Sequence, residues 1–175
     1  MGRAGEIGDA LAAMTTKSWR FWPLLVTVLI ADCATKRAVE ARLEPGAAPV
    51  PVAGEVVRVR LGYNQDAAFG IDVGNGGRWL LAGLAAVAVA ALVIAYRRAA
   101  PRNVVLITGL ALVVGGALGN LLDRLRSTRG VVDWIDIGIG NARFWTFNVA
   151  DLAITIGACC LILSLLRAGD EAPAP

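Results

Sequence analysis

The chain has no histidine, three cysteines and little charge: Asp, Glu, Lys and Arg make up 18% of its 175 residues. Without histidine it lacks the side chain whose ordinary titration lies closest to neutral pH. Acid–base chemistry near neutrality would then need groups with displaced pKa values. Cys33, Cys159 and Cys160 all lie in apolar runs, with no CxxC spacing among them. They read as small hydrophobes, and neither a disulfide, a metal site nor a cofactor is expected. Lys and Arg exceed Asp and Glu by only three, and the basic residues are scattered. Nucleic acid is therefore not an expected partner, whereas anionic lipid headgroups account for cations beside apolar runs.

What the chain does have is apolar surface. Hydrophobic residues make up 57% of it and the mean hydropathy is +0.62, which indicates one integral membrane domain. Four apolar runs stand out: Trp19 to Ala34, Trp79 to Tyr96, Asn103 to Leu122 and Val149 to Leu166. Each is close to the length a helix needs to cross about 30 Å of hydrocarbon, and backbone groups in lipid must pair within the helix. The expected fold is all-α, with four transmembrane helices. Residues 1–18 read as a polar, mobile cytoplasmic tail, 19–167 as the membrane domain and 168–175 as a second cytoplasmic tail. Leu29-Ile30-Ala31-Asp32-Cys33 faintly imitates a lipoprotein processing site, but Asp32 spoils it and three more runs follow, so the first run is kept as an anchored helix. Arg97, Arg98 and Arg102 crowd one short loop, which places that loop and both termini inside. Residues 35–78 and 123–148 are then external, and the Val-rich stretch Glu55 to Leu61 reads as a strand of a small extracytoplasmic β-sheet platform.

The polar residues at the outer ends of these runs carry the chemistry. Asp32 and Lys36 are four apart and share a helical face, either as an interfacial ion pair or to position a loop or substrate. Tyr63-Asn64-Gln65-Asp66 reads as a polar turn, in which Asn64 is able to hold an extended peptide. Gly115 and Gly119 form a small-xxx-small face, followed by Asn120, Asp123 and Arg124. Asp123 reads first as a structural ion pair with Arg124. Asp133 stands among large apolar residues, and Asp136 reads as a solvated neighbour. Asn148 either caps the last helix or orients Asp151, three residues on. Asp133 and Asp151, eighteen residues apart, are able to meet across a loop and share a proton.

Taken together these segments resemble lipoprotein signal peptidase, the type II signal peptidase of bacteria. The resemblance rests on Asp32 and Lys36, on Asn64 with Ala67, Ala68 and Phe69, on the run from Gly115 to Arg124, on Val131-Val132-Asp133, and on Phe147-Asn148-Val149-Ala150-Asp151. It departs from the family pattern at Asp66, where Gly is usual, and at Trp134 and Leu152. It implies an aspartyl peptidase of the bacterial inner membrane that cuts prolipoproteins just before a diacylglyceryl-modified cysteine. Asp133 and Asp151 would form the catalytic dyad. Asn64, Asn120, Arg124 and Asn148 would hold dyad and peptide, and Asp32 and Lys36 would brace the site. The implied partners are the prolipoprotein and membrane lipid, with the enzyme acting as a monomer. A small transporter or proton channel is the rival reading, and it requires carboxylates spaced along a path through the bilayer.

Overall fold

A computed structural model describes the backbone of residues 2–65 and 77–170, with side chains described over 14–65 and 77–167. Asp66, Ala67, Ala68 and Phe69 lie outside the described residues. The element order is α1 (Gly2–Glu40), β1 (Val50–Ala53), β2 (Val57–Asn64), α2 (Gly77–Arg98), α3 (Val104–Arg126), β3 (Val131–Ile139), β4 (Ala142–Arg143) and α4 (Val149–Asp170).

Among the described residues three helices, α2, α3 and α4, are long and apolar enough to cross a membrane. The fourth expected span lies in α1, which is longer than the apolar run that announced it but mixes Arg20, Asp32 and Lys36 with its apolar residues. Residues 2–18, read as a mobile tail, continue this helix. Four alanines there, with Glu6, Leu11, Met14 and Lys17, favour helix.

The central element is α3. Within its apolar span 44% of residues are buried, against 11% for α2 and 22% for α4, so the other helices surround it. Phe21 and Leu25 of α1, Tyr96 of α2, and Ile107, Leu110 and Val114 of α3 form the core. The Phe21 ring stacks on Tyr96 at 3.8 Å between centroids. Glycines set the close approaches. A Cβ on Gly115 would meet Leu25 O and Val28 of α1, and one on Gly116 would collide with Ala150 O of α4. The Gly115 and Gly119 face thus lies against α1, at Leu25, Val28 and Asp32, while the neighbouring Gly116 lies against α4. Phe144, Trp145 and Trp79 are exposed near one end of the bundle, and Trp19 and Trp22 at the other. Two such aromatic levels are what a bilayer's interfaces select. Cys33 and Cys160 are half-buried and Cys159 is exposed, all as free thiols, so they are not core residues.

The sheet is antiparallel, in the order β1-β2-β3-β4. Strand β2 runs three residues beyond the expected Leu61, so Asn64 is paired with Val131 and is not part of a turn. Strand β3 was not anticipated, although Val131-Val132-Asp133-Trp134-Ile135 has the β-branched and aromatic content of one. The reading of Asp136 as solvated is overturned. It is 2% exposed and held by Arg143 Nε at 2.9 Å and Arg58 Nη2 at 2.9 Å. Arg143 also donates to Glu55 O at 2.8 Å, so this cluster ties β2, β3 and β4 together.

Burial alone would push the Asp136 carboxyl up, but the hydrogen bonds and charges of Arg143 and Arg58 outweigh it and hold the group below the ordinary carboxylate range. Its stabilising contribution is present above the unfolded pKa and is lost as pH falls through the lowered folded value. Asp136→Asn should weaken the sheet by about 1–3 kcal/mol at neutral pH and flatten the acid limb of its stability. Hydrogen exchange of the β3 amides against pH measures both effects, and an unchanged acid limb would refute the assignment.

Candidate active site

One lysine organises the polar end of the bundle. Lys36, 2% exposed on the last turns of α1, directs its ammonium to Asp32 Oδ2 at 2.7 Å and Asp123 Oδ2 at 2.8 Å, and donates to Asn120 Oδ1 at 2.9 Å. The ammonium is thus paired with two carboxylates and hydrogen-bonded to one amide oxygen. Asp32, fully buried, also accepts the Ala150 amide of α4 at 2.9 Å, which satisfies one of the amides left free at a helix start. Asp123 accepts the Val132 amide of β3 at 3.3 Å. The Asp32–Lys36 pair is therefore internal rather than interfacial, and Asp123 pairs with Lys36.

Asn148 begins α4 and performs both roles expected of it. Its Oδ1 accepts the Asp151 amide at 2.9 Å, while Asp151 Oδ2 accepts the Asn148 amide at 3.1 Å, a reciprocal capping pair. Its Nδ2 donates to Asp133 Oδ1 at 2.7 Å. One fully buried residue thus contacts both carboxylates. The second Asp151 oxygen accepts Asn120 Nδ2 at 2.8 Å, and the second Asp133 oxygen accepts Asn64 Nδ2 at 3.2 Å from β2. Arg124 is drawn electrostatically to Asp151, Asp133 and Asp123 together.

Nine of the residues singled out from the sequence join one cluster: Asp32, Lys36, Asn64, Asn120, Asp123, Arg124, Asp133, Asn148 and Asp151. These four carboxylates lie together at one end of the bundle, not along a path through it, and this disfavours the transport reading. The Asp136 clamp went unseen because which face of an unrecognised strand points inward is not visible in sequence.

Four carboxylates facing two cations make the cluster over-negative, which favours keeping a proton on one acid. Asp133 is the carboxyl most inclined to hold it. Burial, then the negative charge of Asp151, push its carboxyl up to about 7, against the opposing pull of Asn64, Asn148 and Lys36. It is 5% exposed, whereas Asp151 is only half-buried. Two carboxyls in one site, one inclined to hold a proton and the other open to solvent, form an arrangement suited to general acid–base catalysis.

Because the folded pKa of Asp133 is raised, its stabilising contribution is complete below the ordinary carboxylate range and is lost as pH rises through about 7. The Asn64 donor favours the ionised form, so Asn64→Ala should move the Asp133 titration to still higher pH. The infrared carboxyl band of the folded protein, followed against pH, reports this; a downward move would contradict the geometry.

Over residues 24–167 the sequence matches the family described as Signal peptidase (SPase) II. It is 37% identical to the lipoprotein signal peptidase of Hydrogenovibrio crunogenus (strain DSM 25203 / XCL-2), over 87% of this chain and 86% of that one. It is 35% identical to the lipoprotein signal peptidase of Coxiella burnetii (strain RSA 493 / Nine Mile phase I), over 91% and 99% respectively. Among solved structures, a bacterial membrane enzyme determined in meso at 2.3 Å superposes with a TM-score of 0.75 at 28% identity, covering 87% of this chain and 91% of that one.

Proposed function

The chain belongs to the signal peptidase II family, and on that premise we propose that it is an aspartyl endopeptidase that removes the signal peptide from diacylglyceryl-modified prolipoproteins, with Asp133 and Asp151 as its catalytic dyad. The observation that carries this reading is the pair of carboxylates joined through Asn148, with Asp133 pushed up to about 7. The pair holds one proton between them, resting on Asp133. Ionised Asp151 takes a proton from water as its oxygen adds to the scissile carbonyl carbon. Protonated Asp133 hydrogen-bonds the carbonyl oxygen and takes up part of the developing charge. Collapse of the tetrahedral intermediate breaks the C–N bond, the leaving amine takes a proton from the dyad, and the pair returns to a single shared proton. No covalent intermediate is required. Asn64, Asn120, Arg124 and Asn148 keep the carboxylates oriented, and Lys36 with Asp32 and Asp123 holds the helices that carry them.

In this reading α1 is a fourth membrane span. From Lys17, beside Ala99, to Lys36, beside Asn120, it accompanies α3 over its length, and twenty residues of helix rise about 30 Å. Asp32 and Lys36 face inward, while Trp22, Val26 and Ile30 face outward. Both termini lie in the cytoplasm of a bacterial cell and the dyad lies at the outer face of the inner membrane. There a lipid-bearing cysteine presents its peptide bond while its acyl chains stay in the bilayer. The protein acts as a monomer, without a cofactor or a metal.

Purified protein in lipid should cleave a diacylglyceryl prolipoprotein before its modified cysteine. Asp133→Asn and Asp151→Asn should each lower kcat by at least about a thousandfold while the protein stays folded. Activity should decline as pH rises through about 7, where the pair loses its proton, and Asn64→Ala should carry that limb upward. Folded variants that still cut would move the chemistry elsewhere, with Asp123 the next carboxylate to test. A folded native protein that never cuts would end the peptidase reading.

A further inference from the structure

The end of the bundle opposite the dyad carries a second polar arrangement that peptide cleavage does not use. Lys17, 8% exposed, donates to Ala99 O at 2.7 Å and Arg97 O at 3.2 Å, and its ammonium lies 4.6 Å from the centroid of the Tyr96 ring. These carbonyls close the C-terminus of α2, where the helix dipole presents negative charge, so Lys17 caps the helix. It also forms one wall of a cavity of about 510 Å³ between α1 and α2, where the Ser18 and Tyr96 hydroxyls lie 3.4 Å apart and Arg97 stands at the rim. Met14, Trp22, Ala99 and Pro101 complete the lining.

A shallow groove of about 260 Å³ on the surface of α1 adjoins the first. It shares Ser18 and Trp22 with it and adds Trp19 and Pro23, so its walls are almost wholly apolar. A partly polar cleft adjoining an apolar groove on α1, at the level of exposed tryptophans, matches the amphipathic character of a lipid at the interface. Charge selects the kind of lipid. The described charged side chains at this end are Lys17, Arg20, Arg97, Arg98, Arg102 and Arg167, and none is acidic.

We propose that this cavity between α1 and α2 is a binding site for an anionic phospholipid of the leaflet facing the 97–102 loop. The phosphate is held by the Ser18 and Tyr96 hydroxyls and the Arg97 guanidinium, with the fixed charge of Lys17 behind them, and an acyl chain lies along Trp22 and Pro23. The proposal goes beyond the peptidase reading and rests only on the protein lying in a membrane.

The test uses the full chain in nanodiscs containing phosphatidylcholine and phosphatidylglycerol in equal amounts, with the lipid that stays bound after extraction counted by native mass spectrometry. Wild-type protein should retain one phosphatidylglycerol in preference to phosphatidylcholine, and Arg97→Gln should weaken that preference about fivefold. Trp22→Ala should shorten retention of the same lipid. Arg167→Gln removes a charge from the same end but not from the cavity, and should change nothing. Lys17→Gln, which also uncaps α2, is interpreted only where circular dichroism shows an intact fold; Arg97→Gln spares the carbonyls that Lys17 binds and so decides the matter without it. Equal retention of the two lipids would overturn the proposal, as would equal effects of Arg97→Gln and Arg167→Gln. Displacement of the lipid by millimolar glycerol phosphate, to which an acyl chain contributes nothing, would overturn it in favour of a free-anion site.

Discussion

The buried ammonium of Lys36 is the interaction on which the rest of the polar end depends. It meets acceptors from α1 and α3 at 2.7 to 2.9 Å. Through those acceptors the chain of contacts reaches Ala150 and Asp151 at the start of α4 and Val132 of β3. A lysine is hidden this completely only when its charge is paired and its donors are satisfied. The arrangement is strongly specified because removing either partner strands an uncompensated charge, which is far more damaging than removing the whole pair. The charges of α1 are therefore compatible with a helix in lipid, since its outward face stays apolar.

Around that anchor, the two carboxylates are given different surroundings by different kinds of structure. Asp151 stands in the first turn of a helix, half-open, with Asn120 and the Asn148 amide as donors. Asp133 stands on a strand, nearly enclosed, with the side-chain amides of Asn64 and Asn148 as donors. Desolvation disfavours the charged form of Asp133 more than those neutral donors favour it, and the charge on Asp151 adds to the imbalance. The sheet thus does more than cover the site: pairing of Gly62 with Asp133 brings β2 alongside, and Asn64 with it. The clamp of Arg58 and Arg143 on Asp136 maintains that pairing three residues away.

Close helix approach is the second requirement. Gly116 lets α4 come near enough to α3 for Ala150 to reach Asp32, and a Cβ on Gly119 would collide with Asp32 itself. In lipid there is no hydrophobic effect to force helices together, so contact depends on packing at such small residues and on polar links of this kind. The two reinforce each other here, since the glycines sit beside the buried Asp32–Lys36 pair.

By itself the sequence determined the membrane class, the approximate spans and the identity of the polar residues gathered at one end, because apolar run length and rare charges in such runs are local properties. Asn148 was legible as both a cap and a partner of Asp151, since three-residue spacing at a helix start permits little else. Only the tertiary structure decided what those residues touch. Asn64, read as part of a turn, is a strand residue reaching Asp133; Asp136, read as solvated, is enclosed between two arginines; and the Asp32–Lys36 pair, for which an interfacial place was one reading, is shut inside the bundle. The physical reason is the same in each case. Strand register, the inward face of a strand and the partner of a buried charge are set by chain segments far away in sequence, and no local pattern encodes them.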